Sequence, residues 1–336
     1  MTSSEAISRI PGELTDKERL VSYYLQFNGD ISSSELGELV GLKPHVVQYT
    51  KTSLLERGIL KRKYYINPYA LGYAKYQLFF SSPLGSAPNN SLIAHLKEHW
   101  RTAWFATIGG DFQYGMNVIA RSPLDFSNHL DDLELAYSEI FSRKSLTVIS
   151  SFSMLSKKYL LTEAGITPEN EKCITLRECA PPPPTDDLDL RVIQALSTYP
   201  SLSLRQIAEK TEISRTTFQY RADRLKEMGV FLGAFHYISA AKFHRHTYIL
   251  LIETVGARHK VRKAIYNFAK KEPRIVNIAE CLGTWDYQLN IEVQKQGEVT
   301  DITNHIYRSS QQTVSHVSAI PIHSQQQSPL FLSLQK

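Results

Sequence analysis

The sequence predicts an α+β chain in which a winged helix-turn-helix followed by a ferredoxin-like βαββαβ domain occurs twice in tandem. Three observations carry this. Residues 43–58, KPHVVQYTKTSLLERG, lie without a gap on residues 214–229, SRTTFQYRADRLKEMG, so that Gln48, Tyr49, Leu54, Glu56 and Gly58 fall on Gln219, Tyr220, Leu225, Glu227 and Gly229. Further along each half, Gly110, Tyr114 and Asn117 fall on Gly283, Tyr287 and Asn290 at almost the same offset. Between the halves stands APPPPTDD, residues 180–187, whose prolines continue neither a helix nor a central strand and so make a stiff spacer.

The first half begins with three helices and a wing. Thr15 is a cap for the helix DKERLVSYYLQFN, SSSELGELV is a second helix, and Gly41 and Leu42 make the turn. Pro44 stands at the first position of the third helix, where its missing N–H is not needed, and Gly58 stops that helix. ILKRKYYINP is then the wing. The run YAKYQLFFS, residues 73–81, starts the α/β domain as a strand. SLIAHLKEHW is its first helix, AWFATIGGDFQYGMNVIA two strands about a glycine turn, residues 124–141 a second helix and 145–153 a last strand. The second half repeats the plan. DLDLRVIQALSTYP has Leu188, Val192, Ile193 and Leu196 at helical spacing, and Ser203 and Ser214 are caps for the next two helices. VFLGAFHYIS is the second wing, HTYILLIET (246–254) the first strand, and IVNIAECLGTWDYQLNIEV the strand pair about a glycine turn. The boundaries expected are 1–68 and 69–165 for the first pair of domains, 166–187 for the linker, and 188–238 and 239–336 for the second pair.

Composition narrows the function classes. A chain of 336 residues exceeds the ~100–150 of an ordinary domain, and 42% hydrophobic content with 10% aromatics is that of a folded protein. No apolar run reaches the ~18–20 residues of a membrane helix and the start has no signal-peptide core, so a cytoplasmic, nucleoid-associated protein without membrane contact is expected. Cys173, Cys179 and Cys281 fit neither a disulfide framework nor a zinc pattern and are expected as free thiols; no metal, cofactor or catalytic residue set is expected. The formal net charge is only +5, but the positive charge gathers on the repeated helix and, in the first half, on the wing behind it.

That helix carries the chemistry. Phe218, Ala222 and Leu225 recur on one face and point to the core, leaving Arg215, Thr216, Gln219, Tyr220 and Asp223 outward. The first copy buries Val47 and Leu54 and presents His45, Gln48, Tyr49 and Thr52. In a major groove, Arg matches guanine and Gln matches adenine. The expected base-reading residues are therefore His45, Gln48, Tyr49, Arg215, Thr216, Gln219 and Tyr220, and the expected partner is double-stranded DNA. Lys51, Lys61, Arg62, Lys63, Arg221 and Arg224 are expected on phosphates. Because Pro44 and His45 stand where the second copy has Arg215 and Thr216, the two helices should read different bases.

Across most of its length, roughly 15–160 and 186–325, the chain resembles the Lrp/AsnC family of feast/famine transcription regulators. The likeness rests on residues 188–234, on Leu71 and Gly72 after the first wing, and on the turn GTWDYQLNIEV, with GDFQYGMNVIA a looser match. Members carry one copy, so this chain would be a fused, tandem member. The resemblance implies a small-molecule effector, such as an amino acid, near the glycine turns, with Gly110, Asp111, Gly283, Thr284 and Asp286 as its contacts. Gln113 stands where the second half has Asp286. Family dimers also imply that the two α/β domains pair inside the chain as a pseudo-dimer, covering the sheet faces of 73–81 and 246–254, with a homo-oligomer as a further level. Sirohaem decarboxylases of the same two-domain form are the enzyme alternative, with His236, His244 and His246 at hand. Their His/Arg-rich stretch is replaced here by Gly-Gly-Asp and Gly-Thr-Trp-Asp. The sequence therefore reads as a DNA-binding regulator and not an enzyme, with a tetrapyrrole enzyme or a nucleoid-architectural protein as alternatives.

Overall fold

A computed structural model describes residues 13–82, 90–137, 140–168, 172–177, 181–310 and 313–326. Cys179 and Ala180 lie outside these. The first winged unit is α1 (Asp16–Leu25), α2 (Ser33–Val40), α3 (Pro44–Glu56) and β1 (Leu60–Ile66). Thr15 caps α1 as expected, in a reciprocal capping box with Glu18; Ser32 and Glu35 form another box before α2, and Gly41 takes φ +67° to turn the chain into α3. Then come β2 (Ala74–Ser81), α4 (Asn90–Glu98), β3 (Thr102–Ile108), β4 (Tyr114–Ala120), α5 (Pro123–Tyr137), β5 (Arg143–Leu155), the single turn α6 (Tyr159–Thr162) and β6 (Cys173–Arg177). The second half supplies α7 (Asp187–Thr198), α8 (Leu204–Lys210), α9 (Arg215–Glu227), β7 (Phe231–Ile238), β8 (His246–Thr254), α10 (Arg258–Lys271), β9 (Ile275–Gly283), β10 (Tyr287–Val293), α11 (Gly297–Ser309) and β11 (Val314–Gln326). The α+β tandem is as the sequence predicts.

The βαββαβ units join in one nine-stranded sheet of order β2-β4-β3-β11-β8-β10-β9-β5-β6. β5 also pairs with β2, from Lys75↔Ile149 to Ser81↔Arg143, so all strands but β6 form a closed ring with no free edge. Each half donates its last strand to the other: β11 pairs with β3 at Ile322↔Ile108, and β5 with β9 at Ile149↔Cys281. Outward-facing residues such as Leu78 and Phe80 on β2 pack beneath α4 and α5, and Leu250, Leu289 and Ile291 beneath α10 and α11. Inside, Phe79, Ile108, Ile249, Cys281 and Trp285 fill one end of the ring. The segments 73–81 and 246–254 are thus covered within a single chain.

Two features differ from the sequence reading. The stretch expected as a plain spacer contains β6, which pairs with β5 from Ser151↔Arg177 to Leu155↔Cys173. The two wings do not stand apart: β1 and β7 pair antiparallel, from Leu60↔Ile238 to Ile66↔Phe231, in a ribbon shared by both winged units. Each strand would otherwise expose a row of unsatisfied N–H and C=O groups, and pairing meets both rows at once. Among the described residues no helix is long and apolar enough to cross a membrane. Cys173 is exposed and Cys281 buried, both as free thiols.

Candidate nucleic-acid interface

The two repeated helices, α3 and α9, are built alike. In α9, Ser214 accepts the Thr217 N–H at 3.1 Å, while Phe218, Ala222 and Leu225 are buried. In α3, Val47 and Leu54 are buried, and Thr50 returns its hydroxyl to the Val46 carbonyl at 2.8 Å. This leaves Arg215, Thr216, Gln219 and Tyr220 on one solvent-facing surface and His45, Gln48 and Tyr49 on the other. The matched tyrosines are the most conspicuous part, with Tyr49 76% and Tyr220 64% exposed. The polar members are held lightly by neighbours: Ser33 donates to Gln48 at 2.9 Å, Gln219 donates to Asp223 at 2.9 Å, and Arg215 pairs with Glu209 of α8.

The residues expected on phosphates divide by their surroundings. Lys61 is exposed, while the other five are wholly or partly withdrawn from solvent. Arg62 pairs with Asp30, donates to the carbonyls of Pro200 at 2.9 Å and Leu202 at 2.8 Å, and lies 4.4 Å over the Tyr64 ring. It therefore fastens the first half to the second winged unit. Lys63 turns inward, 5.6 Å from the Tyr237 ring, and burial holds its ammonium down to about 8. Lys51 is half-buried, its ammonium lowered by desolvation first and by Arg62 second. Arg221 bonds to Asp186 at 2.6 Å and Asp189 at 3.1 Å, and Arg224 to Asp189, whose side chain is 0% exposed. Acids at the start of α7 thus pair with both arginines of α9.

The glycine turns sit at the seams of the ring. Gly110, at φ +85°, has open space around it, and neighbouring Asp111 pairs with Arg143 at 3.3 Å. At Gly283 a Cβ would meet the Leu146 carbonyl oxygen at 3.0 Å, so the close approach of β5 requires glycine. Thr284 shares a 3.1 Å hydrogen bond with Ser145, and one Asp286 oxygen accepts both the N–H and the hydroxyl of Thr254 at 2.8 Å. Phe112 and Trp285, one from each turn, pack on Phe79 with ring centroids 6.1 and 5.4 Å away. Of the histidines, His236 is buried against the Leu25 carbonyl at 3.3 Å, whereas His244 and His246 are exposed. Among the described residues no group of His, Cys, Asp or Glu is arranged to hold a metal.

A cavity of about 260 Å³ lies where the β1–β7 ribbon and the end of α7 meet the other end of the ring. Lys75 and Gln77 of β2, Asn117 of β4, and Gln288, Asn290 and Glu292 of β10 line it. Glu292 is met by Lys157 and by the Tyr159 hydroxyl at 2.5 Å, with Arg245 stacked 3.8 Å over the Tyr159 ring. The sequence reading passed over this site, although its signal was present. Lys-x-Gln in β2 and Gln-x-Asn-x-Glu in β10 put polar groups on one face of otherwise apolar strands.

Comparison with known proteins gives one family match, winged helix-turn-helix DNA-binding, over residues 185–231. This stretch holds α7, α8, α9 and the start of β7. No curated protein matches the chain. Among solved structures, the sirohaem decarboxylase NirDL overlays with TM-score 0.59 at 11% identity, covering 93% of this chain and 92% of that one. The same protein in complex with an iron-uroporphyrin III analogue gives 0.54 at 12% identity, with the same coverage of 93% and 92%. AsnC of E. coli overlays 41% of this chain and 92% of its own, at 16% identity and TM-score 0.37. The likeness to NirDL is one of fold, extending over nearly the whole tandem.

Proposed function

We propose that this chain is a sequence-specific, DNA-binding transcription regulator that uses α3 and α9 together to read two unlike half-sites. The observation that carries it is the pair of recognition-helix surfaces, each presenting an uncovered tyrosine beside hydrogen-bonding side chains on a core-anchored scaffold. The shared β1–β7 ribbon supports a fixed relation between the two helices, as paired half-site reading requires. A small effector belongs to the same reading. The direct test is binding of the purified chain to duplex DNA. Sequence-dependent affinity supports the reading, and indifference to sequence turns it into an architectural one.

The overlay with NirDL along nearly the whole chain favours a second reading, a decarboxylase acting on an iron tetrapyrrole. Against it, His236, His244 and His246 do not line the cavity. Incubation with iron-uroporphyrin III decides the matter. A saturable shift of its visible absorbance would favour the enzyme, and an unchanged spectrum the regulator.

A further inference from the structure

The cavity between ribbon and ring has the makings of a ligand site. Lys75 is buried with only 6% of its surface exposed. Among the described residues its ammonium faces the rings of Phe152 at 4.7 Å and Tyr69 at 5.5 Å and no carboxylate. A cation withdrawn from water without a counter-charge is costly unless an anion joins it. Around it are amide groups left without partners: both the nitrogen and the oxygen of Gln77, which is 0% exposed, and the side-chain oxygens of Asn117 and Gln288. Buried amides are nearly always hydrogen-bonded, so several orphans beside one cavity mark a place for a polar guest. The Glu292 charge is already met by Lys157, which leaves the balance at Lys75 positive.

We propose that this cavity is the effector site and that it takes a small organic carboxylate bearing a further hydrogen-bonding group, with the carboxylate on Lys75 and the Gln77 amide and the second group on Asn117 and Gln288. The volume suits a molecule of this size, and Trp104 and Phe152 supply apolar walls. Asn117 and Asn290 occupy matching positions in the two halves, so the guest sits between the halves instead of within one. Lys63, Tyr64, Tyr65 and Ile66 of the ribbon and Leu196, Ser197 and Pro200 near the end of α7 form the opposite wall. A guest touching both walls binds more tightly to one placement of the winged units than to another, which is how it would bias their grip on DNA. That consequence rests on the regulator reading; binding itself does not.

The test titrates the purified full-length chain with 4-hydroxybenzoate, 2-oxo acids and α-amino acids, with benzyl alcohol as the neutral control. Tryptophan fluorescence is followed, since Trp104 lines the cavity. At least one carboxylate is expected to give a saturable change that benzyl alcohol does not. Affinity should fall about tenfold or more in Lys75→Met and in Gln77→Leu, and stay unchanged in Arg308→Ala, an exposed residue of α11 outside the cavity lining. Thermal unfolding confirms that each variant is folded. Absence of any saturable carboxylate response in the wild type, or equal affinity in folded Lys75→Met, overturns the site. If either occurs while sequence-specific DNA binding persists, the site fails and the DNA reading stands. Carboxylate binding by a chain that ignores DNA sequence sinks the regulator and leaves the site.

Discussion

Replacing Asp189 by Asn separates two accounts of the arginines on α9. Asp189 is fully buried in the first turn of α7, bonds to Arg221 at 3.1 Å and to Arg224, and accepts the Asp186 N–H at 3.1 Å. Asn keeps the shape and one acceptor but removes the charge. Breaking a buried ion pair costs ~3–5 kcal/mol when the survivor is stranded. Here the arginine side chains are 21% and 30% exposed, and Arg221 keeps Asp186, so about 2–3 kcal/mol is expected for Asp189→Asn. Amide hydrogen exchange reads it: protection in α7 and α9 should drop about 30- to 150-fold, since ~1.4 kcal/mol is a factor of ten. In DNA binding, Arg221→Ala should leave the salt dependence unchanged, whereas exposed Lys61→Ala should reduce the slope by ~0.9. Unchanged protection in Asp189→Asn, together with a slope loss of ~0.9 in Arg221→Ala, would refute the internal ion pairs as the main task of these arginines.

Burial holds His129 down to about 3 and His236 down to about 4, below the ordinary ~6.5. The unfolded chain therefore binds the extra protons first, and stability falls as pH drops below ~6.5; between pH 7 and 5 each histidine should cost about 2 kcal/mol, a slope that His236→Gln flattens in denaturant titrations. Burial likewise lowers Lys75 to about 8, which disfavours its charged form at neutral pH; Lys75→Met should raise stability at pH 7 by up to about 3 kcal/mol, measured by urea unfolding. At Gly29 a Cβ would lie 2.4 Å from the Ala234 carbonyl oxygen, which accepts the Gly29 N–H at 2.7 Å, so Gly29→Ala should loosen the first winged unit from β7 at a cost of about 2 kcal/mol or more, seen as a lowered Tm.

What the sequence made legible was local. Capping at Thr15, Ser203 and Ser214, the stops at Gly58 and Gly229 and the inward faces of α3 and α9 depend on residues a few positions apart. The internal repeat extended this to the tandem plan. Partners across long separations were not legible. The internal partners of Arg221 and Arg224 were hidden because Asp186 and Asp189 belong to another helix, and those of Arg62 because Asp30, Pro200 and Leu202 come from distant segments. The pairing of wings was hidden for the same reason, since strand composition shows an edge but not what covers it. The cavity could have been approached through Lys75, Gln77, Gln288 and Asn290, polar residues on strands otherwise apolar, once the ring was known to close over that face.

The central claim is that two unlike helices of one chain read DNA bases. Selection of duplexes from a random pool by the full-length protein, repeated with the Arg215→Ala/Gln219→Ala variant, tests it most directly. The expected result is a non-palindromic site of two unlike half-sites about one helical turn, ~34 Å, apart, with one half randomised by the variant and the other kept. Absence of any enriched sequence, a perfect palindrome, or a site unchanged in the variant would contradict it.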